Sequence, residues 1–310
     1  MKKKLMLFFL ILWMLLIGMG YLVGNYFVDY ALKRGGDGLP PAACARISDP
    51  SYEEPALPAS QAIREDWSIT SEDGLKLQAA SLRPKLEKPH HWAVLVHGYG
   101  RNKEYTWDYA EEYLKEGYCT LSPDLRATGK SEGTYLTMGA KESDDLKLWV
   151  EEIVRQDPDA KIVLHGVSMG AATVMMAVSK DLPPNVVAAV EDCGYTSAYE
   201  MFTNQLDVLF GLPEIPVMPC VDIVCWHKTG ETLSYPTPLE SVAESELPML
   251  FIHGDEDKLV PYGMMEELYD ASTASVKEKV TVHGAGHAAA KPTDAKAYFE
   301  KIFAFLRPWM

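Results

Sequence analysis

Lys161-Ile162-Val163-Leu164-His165-Gly166-Val167-Ser168-Met169-Gly170-Ala171-Ala172-Thr173-Val174-Met175-Met176-Ala177-Val178 is the stretch from which the rest of the chain can be read. It begins with an apolar, β-branched run, Ile162 to Leu164, as expected of a buried parallel strand. It ends in Ala171 to Val178, small and straight apolar residues that read as a buried helix. Between them, Gly166-Val167-Ser168-Met169-Gly170 is a G-x-S-x-G sequence. Such glycines let a strand reverse into a helix so tightly that the middle hydroxyl stands exposed on a strained turn. They also remove side chains that would crowd it. With a strand before and a helix after, Ser168 reads as a nucleophile rather than a structural serine in a Gly-rich turn.

Outward from Ser168, three loops carry chemistry that fits it. His97-Gly98-Tyr99-Gly100 follows the apolar strand Trp92 to Val96. The backbone N–H groups of Tyr99 and of Met169 would form an oxyanion hole, two fixed donors for the charge of a tetrahedral intermediate. His253-Gly254-Asp255-Glu256-Asp257-Lys258-Leu259-Val260-Pro261 follows a second apolar strand, and its acids are candidates to orient a histidine. Val282-His283-Gly284-Ala285-Gly286-His287 follows the last strand, with glycines that free the loop to aim His287 at Ser168. A serine hydroxyl is a weak nucleophile until a base takes its proton, and that base needs an acid to fix its tautomer.

The intervening chain alternates. Trp92 to Val96, Tyr118 to Leu121, Val186 to Val190, Met249 to Ile252 and Val280 to Val282 read as strands. Lys103 to Glu116, Lys141 to Arg155 and Asp294 to Leu306 read as helices. Ahead of them, Trp67 to Thr70 and Leu75 to Ala79 alternate around Ser71-Glu72-Asp73-Gly74, a hairpin with a Gly-containing turn. A hairpin followed by repeated βα units implies an α/β fold, a mostly parallel sheet with helices on both faces. The domain is placed at 66–310. Residues 195–246 break the alternation. Met201 to Phe210 has the pattern of an amphipathic helix, which Pro213, Pro216 and Pro219 then interrupt. An insertion of this kind beside a site often covers it, so it reads as a helical lid.

At the start of the chain, Lys2-Lys3-Lys4 precede an uncharged run from Leu5 to Gly24. About twenty apolar residues are enough to cross a bilayer as a helix. The run is longer than a signal-peptide core and no small-x-small site follows, so residues 1–34 read as an uncleaved membrane anchor. Tyr21, Tyr26 and Tyr30 cluster at its far end, where tyrosines collect at a membrane boundary. The lysines before the span favour a cytoplasmic N-terminus and a single-pass protein of the cell membrane with its domain outside. Residues 35–65, rich in Gly, Pro and Ala over their first part, read as a tether.

Composition narrows the partners. The chain has 310 residues, 47% hydrophobic and 24% charged, with a formal net charge of −15. With no basic patch to release counterions from phosphate, a nucleic-acid partner is not expected. The five cysteines, Cys44, Cys119, Cys193, Cys220 and Cys225, lack metal-ligand spacing. Cys220 and Cys225 could pair in an oxidising compartment. No metal or organic cofactor is implied.

These stretches resemble the α/β-hydrolase superfamily, and most of all its membrane-anchored bacterial serine hydrolases of the serine-aminopeptidase-like and dienelactone-hydrolase-like branch. The resemblance covers residues 66–310 and implies the α/β-hydrolase fold. The family's Asp-x-x-Val-Pro pattern puts its acid at Asp257, and His287 takes the family's histidine position. The chain order Ser, Asp, His is the one associated with that fold. Asp255 is an alternative acid and Asp192 a weaker one; His283 and His165 read as structural. Asp124-Leu125-Arg126-Ala127-Thr128-Gly129-Lys130-Ser131 follows the family's Asp-x-Arg-Gly-x-Gly-x-Ser, with Ala127 in place of a glycine. The implied activity is hydrolysis of a small-molecule carboxylic ester through an acyl-enzyme, with amide hydrolysis and a non-catalytic binding role as alternatives.

Overall fold

The computed structural model describes residues 2–35, 62–85 and 90–310. Most of the tether, and Cys44 with it, lies outside the described residues. The order of elements is α1 (Lys2–Leu32), β1 (Ala62–Thr70), β2 (Lys76–Pro84), β3 (His91–Val96), α2 (Trp107–Lys115), β4 (Cys119–Pro123), α3 (Ala140–Gln156), β5 (Lys161–Val167), α4 (Met169–Ala177), β6 (Val186–Asp192), α5 (Ala198–Phe210), α6 (Glu214–Thr229), α7 (Pro238–Ala243), β7 (Met249–Gly254), α8 (Tyr262–Ala271), β8 (Lys277–Val282), α9 (Ala290–Thr293) and α10 (Ala295–Leu306).

The strands form one eight-stranded sheet in the order β1-β2-β4-β3-β5-β6-β7-β8. Only β2 runs against its neighbours; every pair from β4 to β8 is parallel. Both faces are covered. Leu146 and Val150 of α3, Val174 of α4, Val242 of α7 and Leu268 of α8 pack on one side. Tyr109 and Tyr113 of α2 and Ile302 and Phe305 of α10 pack on the other. Burial on both faces is why β5 reads as a continuous apolar run instead of an alternating one.

The hairpin is longer than its sequence pattern. β1 begins at Ala62, inside the stretch read as tether, because Ala62 to Glu65 pair with Pro84 to Ser81. Only Trp67 of β1 is buried, so this edge strand carries almost no alternation to read.

The proline-broken part of the insertion is helical. Gly211 ends α5 in the left-handed conformation. α6 then starts through a non-helical Ile215 (φ −95°, ψ 128°). Counting from there, Pro216 takes the first helical position, where a missing N–H costs nothing. Pro219 falls within the first turn, whose N–H groups have no helical partner. The prolines therefore start a helix instead of interrupting one. Cys220 and Cys225 both lie on α6 and both are free. α7 packs against α4 beside the sheet, which leaves α5 and α6 as the covering part of the insertion.

The apolar N-terminal helix is one continuous element, exposed over its first two thirds and joined to the domain at its end. Val28 and Leu32 are fully buried. Asp29 pairs with Lys228 at 2.5 Å and accepts from the Tyr135 hydroxyl at 2.8 Å. Arg34 donates to the carbonyls of Ser131 and Gly129. Residues 25–34 are thus part of the domain's packing, not a detached stalk.

Candidate active site

The turn from β5 into α4 is built as its glycines predict. A Cβ on Gly166 would lie 2.1 Å from the Gly170 carbonyl oxygen, and one on Gly170 would lie 2.1 Å from that of Val96. Neither position has room for a side chain. Ser168 sits between them at φ 58°, ψ −118°, a region that L-residues avoid. Met138 and Ala288, which line the same cavity, also have positive φ, and strain of this kind clusters at functional sites.

Three side chains from separate loops meet there. The Ser168 Oγ lies 2.8 Å from His287 Nε2. His287 Nδ1 lies 2.7 Å from Asp257 Oδ2. With Nδ1–H donated to the carboxylate, Nε2 carries the lone pair and can accept the serine proton. All three are buried.

Asp257 is held by its own turn. Its Oδ1 accepts from the N–H groups of Leu259 and Val260, both at 2.9 Å, which gives the Asp-x-x-Val spacing a local cause. Its Oδ2 also lies 3.2 Å from His253 Nε2, which in turn donates to the Val260 carbonyl. Burial alone would raise the pKa of Asp257. His287 and His253 outweigh that and hold the carboxyl well below its usual value, so it remains an anion. In the sequence, His253 only opens the loop that carries the acids, with no role of its own. Its place four residues before an acid was the available signal.

The other candidates separate cleanly. Asp255 pairs with the exposed His283 at 2.7 Å, away from Ser168. Asp192 accepts from the Tyr298 hydroxyl, and burial lifts its pKa to about 6. His165 is packed between the hydroxyls of Tyr113 and Tyr298, and burial lowers its pKa to about 3. Ala127 takes the left-handed conformation (φ 58°) at the position of the expected glycine, so the loop keeps its course at a backbone cost of roughly 1 kcal/mol. A Cβ on the neighbouring Gly129 would meet the Asp124 carboxylate at 2.2 Å. Asp124 is engaged with Lys103 Nζ at 2.6 Å.

Tyr99 and Met169 both line the cavity beside Ser168 and His287. Met169 opens α4, where backbone N–H groups point free of the helix ladder. Gly98 is close enough to Ser168 that a Cβ would meet the serine Cβ at 3.3 Å. The Tyr99 hydroxyl donates to the Ala31 carbonyl at 2.5 Å, which ties this loop to the end of α1. Most of the remaining wall is apolar, with Met138, Val167, Tyr195, Met201 and Leu259, and Arg101 and Tyr105 complete it. The cavity measures about 40 Å³, room for a water or two. Met201 comes from α5, and Gln205 of the same helix donates to the Leu259 carbonyl, so the insertion closes on the acid loop.

Among the described residues, one donor set has the composition of a metal site. Cys193, Asp257 and His287 offer ligand atoms within 4.8 Å of one another. Burial, reinforced by Asp192 and Asp257, pushes the Cys193 thiol well above its ordinary pKa, so it stays protonated. The carboxylate and imidazole are already bonded to each other. The set is a poor metal site.

Comparison with known proteins agrees with this architecture. Among solved structures, the chain is similar to the Pyrococcus furiosus esterase Pf2001, with a TM-score of 0.67 and 24% identity, covering 84% of this chain and 100% of that one. It is also similar to a hypothetical protein PA2218 from Pseudomonas aeruginosa, with a TM-score of 0.60 and 20% identity, over 84% and 97% of the two chains. Among curated proteins, it is 25% identical over 214 residues to the uncharacterized protein YqkD of Bacillus subtilis, covering 69% of this chain and 70% of that one. The uncharacterized protein YfhR of Escherichia coli K12 is 26% identical over 212 residues, 66% and 67% of the two chains. The family described as "Alpha/beta hydrolase family" matches residues 93–300. That span runs from within β3 to the middle of α10, with Ser168, Asp257 and His287 inside it. The chain belongs to the alpha/beta hydrolase family.

Proposed function

We propose that this protein is a serine hydrolase that cleaves carboxylic esters through an acyl-enzyme. The observation that carries the reading is the Ser168–His287–Asp257 line, 2.8 Å and 2.7 Å long, at the strained turn after β5. Ser168 Oγ attacks the ester carbonyl as His287 Nε2 takes its proton, and Asp257 steadies the imidazolium that results. The N–H groups of Tyr99 and Met169 receive the oxyanion. On collapse His287 returns the proton to the leaving alcohol, and the acyl group stays on Ser168. A water then gives its proton to His287 and attacks the acyl carbonyl, and on collapse His287 returns that proton to Ser168 Oγ as the carboxylic acid leaves.

An ester is favoured over an amino-terminal peptide by the cavity wall. Among the described residues lining it there is no acidic side chain to receive an α-ammonium group. We also propose that α1 is a retained membrane anchor, with the domain on the outer face. Its first two thirds are apolar and exposed, while Val28 and Leu32 belong to the core, which a cleaved leader would not supply. The mass of the N-terminus of the membrane-bound protein tests this, and loss of α1 would refute it. Protease added to intact cells tests the side.

The activity is tested with the full chain and its Ser168→Ala variant on p-nitrophenyl esters of increasing acyl length and on aminoacyl-p-nitroanilides. Ester turnover lost in the variant is expected. Anilide turnover alone would shift the reading to a peptidase. Failure of a fluorophosphonate to label folded protein would remove the serine mechanism.

A further inference from the structure

Away from α1, the large apolar side chains left exposed among the described residues are Ile63, Tyr235 and Val276, each on a different element or loop, and a group on the lid. That group is Val208, Phe210, Leu212, Ile215, Ile223 and Trp226. On α6, Pro219, Ile223 and Trp226 recur at helical spacing and form one outward stripe, with Ile215 exposed just before the helix starts; Ile215, Ile223 and Trp226 are 72%, 65% and 58% exposed. A lid helix in water would carry charges there. The charged groups sit elsewhere: Glu214 and Asp207 at the rim, Asp222 turned in to accept from Leu233 N–H and Ser234, and Lys228 against Asp29.

The height of this stripe is set by α1. The uncharged run Leu5 to Gly24 is about 30 Å long at 1.5 Å per residue, the thickness of a bilayer's hydrocarbon core, so a spanning helix uses all of it. Gly20 and Gly24, at the end of that run, are the points where α6 presses on α1. A Cβ on Gly20 would lie 3.0 Å from Cys220 Sγ, and one on Gly24 would lie 2.3 Å from the Cys220 carbonyl oxygen. Tyr21 meets His227 a turn away, and Phe210 of the lid packs edge-on against Phe27 at 5.3 Å. A helix that touches the last turn of a membrane span lies at the edge of the membrane.

We infer that the lid is a second membrane contact. α6 lies along the bilayer surface with Ile215, Ile223 and Trp226 in the boundary between head groups and acyl chains, and Val208 of α5 and Leu212 of the turn after it extend the contact. The partner is a lipid surface. The inference rests on α1 spanning the membrane and is independent of the chemistry at Ser168.

The test is tryptophan quenching in the full-length protein, reconstituted in phosphatidylcholine–phosphatidylglycerol vesicles that contain phosphatidylcholine brominated near the head-group end of its acyl chains, the depth of Trp226, or near their methyl end, the depth of Trp13. Emission is compared with that of Trp226→Phe and, separately, Trp13→Phe, so that each difference isolates one ring. Both differences are expected to be quenched severalfold by the brominated lipid, with Trp226 resistant to aqueous acrylamide. Quenching of Trp13 with Trp226 quenched by acrylamide alone would overturn the lid contact and leave the span standing. Quenching of neither ring by lipid would overturn both. A Trp226 shielded from lipid and acrylamide alike would overturn the lipid partner in favour of a second copy of the chain.

Discussion

The loops after β7 and β8 meet in two histidine–aspartate pairs, identical in chemistry and in length. His283 and Asp255 stand 2.7 Å apart at the surface, with the His283 side chain 85% exposed; His287 and Asp257 stand 2.7 Å apart, both buried. What separates them is surroundings. Asp255 has water around it, and its bond to His283 together with the Gly284 N–H is enough to lower its pKa. Asp257 must overcome burial first, and does so with two histidines and two backbone N–H groups. Only the buried pair has a serine at its other end. The distance between an acid and an imidazole therefore says little about catalysis until the solvent and the third partner are known.

The largest effect should come from breaking the buried line. Ser168→Ala and His287→Ala should each lower kcat on a p-nitrophenyl ester on the order of 10⁴-fold or more, with little change in KM. The acids should then divide: Asp257→Asn costs on the order of 10³- to 10⁴-fold in kcat, while Asp255→Asn leaves kcat unchanged. Equal losses from the two acids would erase the distinction drawn above.

A smaller effect concerns the layer behind Asp257, where Glu191 faces His253 and Asp192. Burial lifts the Glu191 carboxyl from 4.5 to about 8. The unfolded chain releases that proton near 4.5, so above that only the folded state holds it, and stability falls as pH rises towards about 8. Asp192, lifted to about 6 by burial, adds to the slope below that value. Glu191→Gln should flatten the fall in Tm between about 6 and 8, as followed by thermal unfolding. An unchanged slope would mean that the carboxyl titrates normally. Smallest of all, His283→Ala should leave both Tm and turnover at the wild-type values, because an exposed ion pair contributes little.

Much of the site was legible because its constraints are local. Gly166 and Gly170 are needed for steric reasons that the G-x-S-x-G spacing states outright, and Asp257 bonds to the N–H groups two and three residues ahead of it. What depends on distant partners was not legible. β1 starts at Ala62 because β2 pairs with it there, although Arg64, Glu65 and Asp66 face water and give no pattern. Pro216 and Pro219 read as breaks until Ile215 is seen to leave the helix, which turns them into a start. The second bond from His253 to Asp257 needs the curl of the β7 loop. Asn25 to Leu32 read as the end of a membrane span, and nothing in that stretch announces that Val28 and Leu32 complete the core.

That last turn of α1 has a consequence for where the protein can work. Its carbonyls at Ala31 and Leu32 receive the Tyr99 hydroxyl and the Leu136 N–H, and Arg34 grips the loop at Gly129 and Ser131. A cut that freed the domain ahead of this turn would strip out Val28 and Leu32, each worth roughly 1.5–3 kcal/mol of burial, and would loosen the loop that carries Tyr99. A domain cut free ahead of this turn is expected to lose both stability and turnover, which thermal unfolding and an ester assay of a chain starting at residue 35 would check. Under the anchoring proposed for α1, turnover stays at the membrane that holds the domain, and a fragment cut ahead of Val28 exposes the apolar groove that Val28 and Leu32 fill.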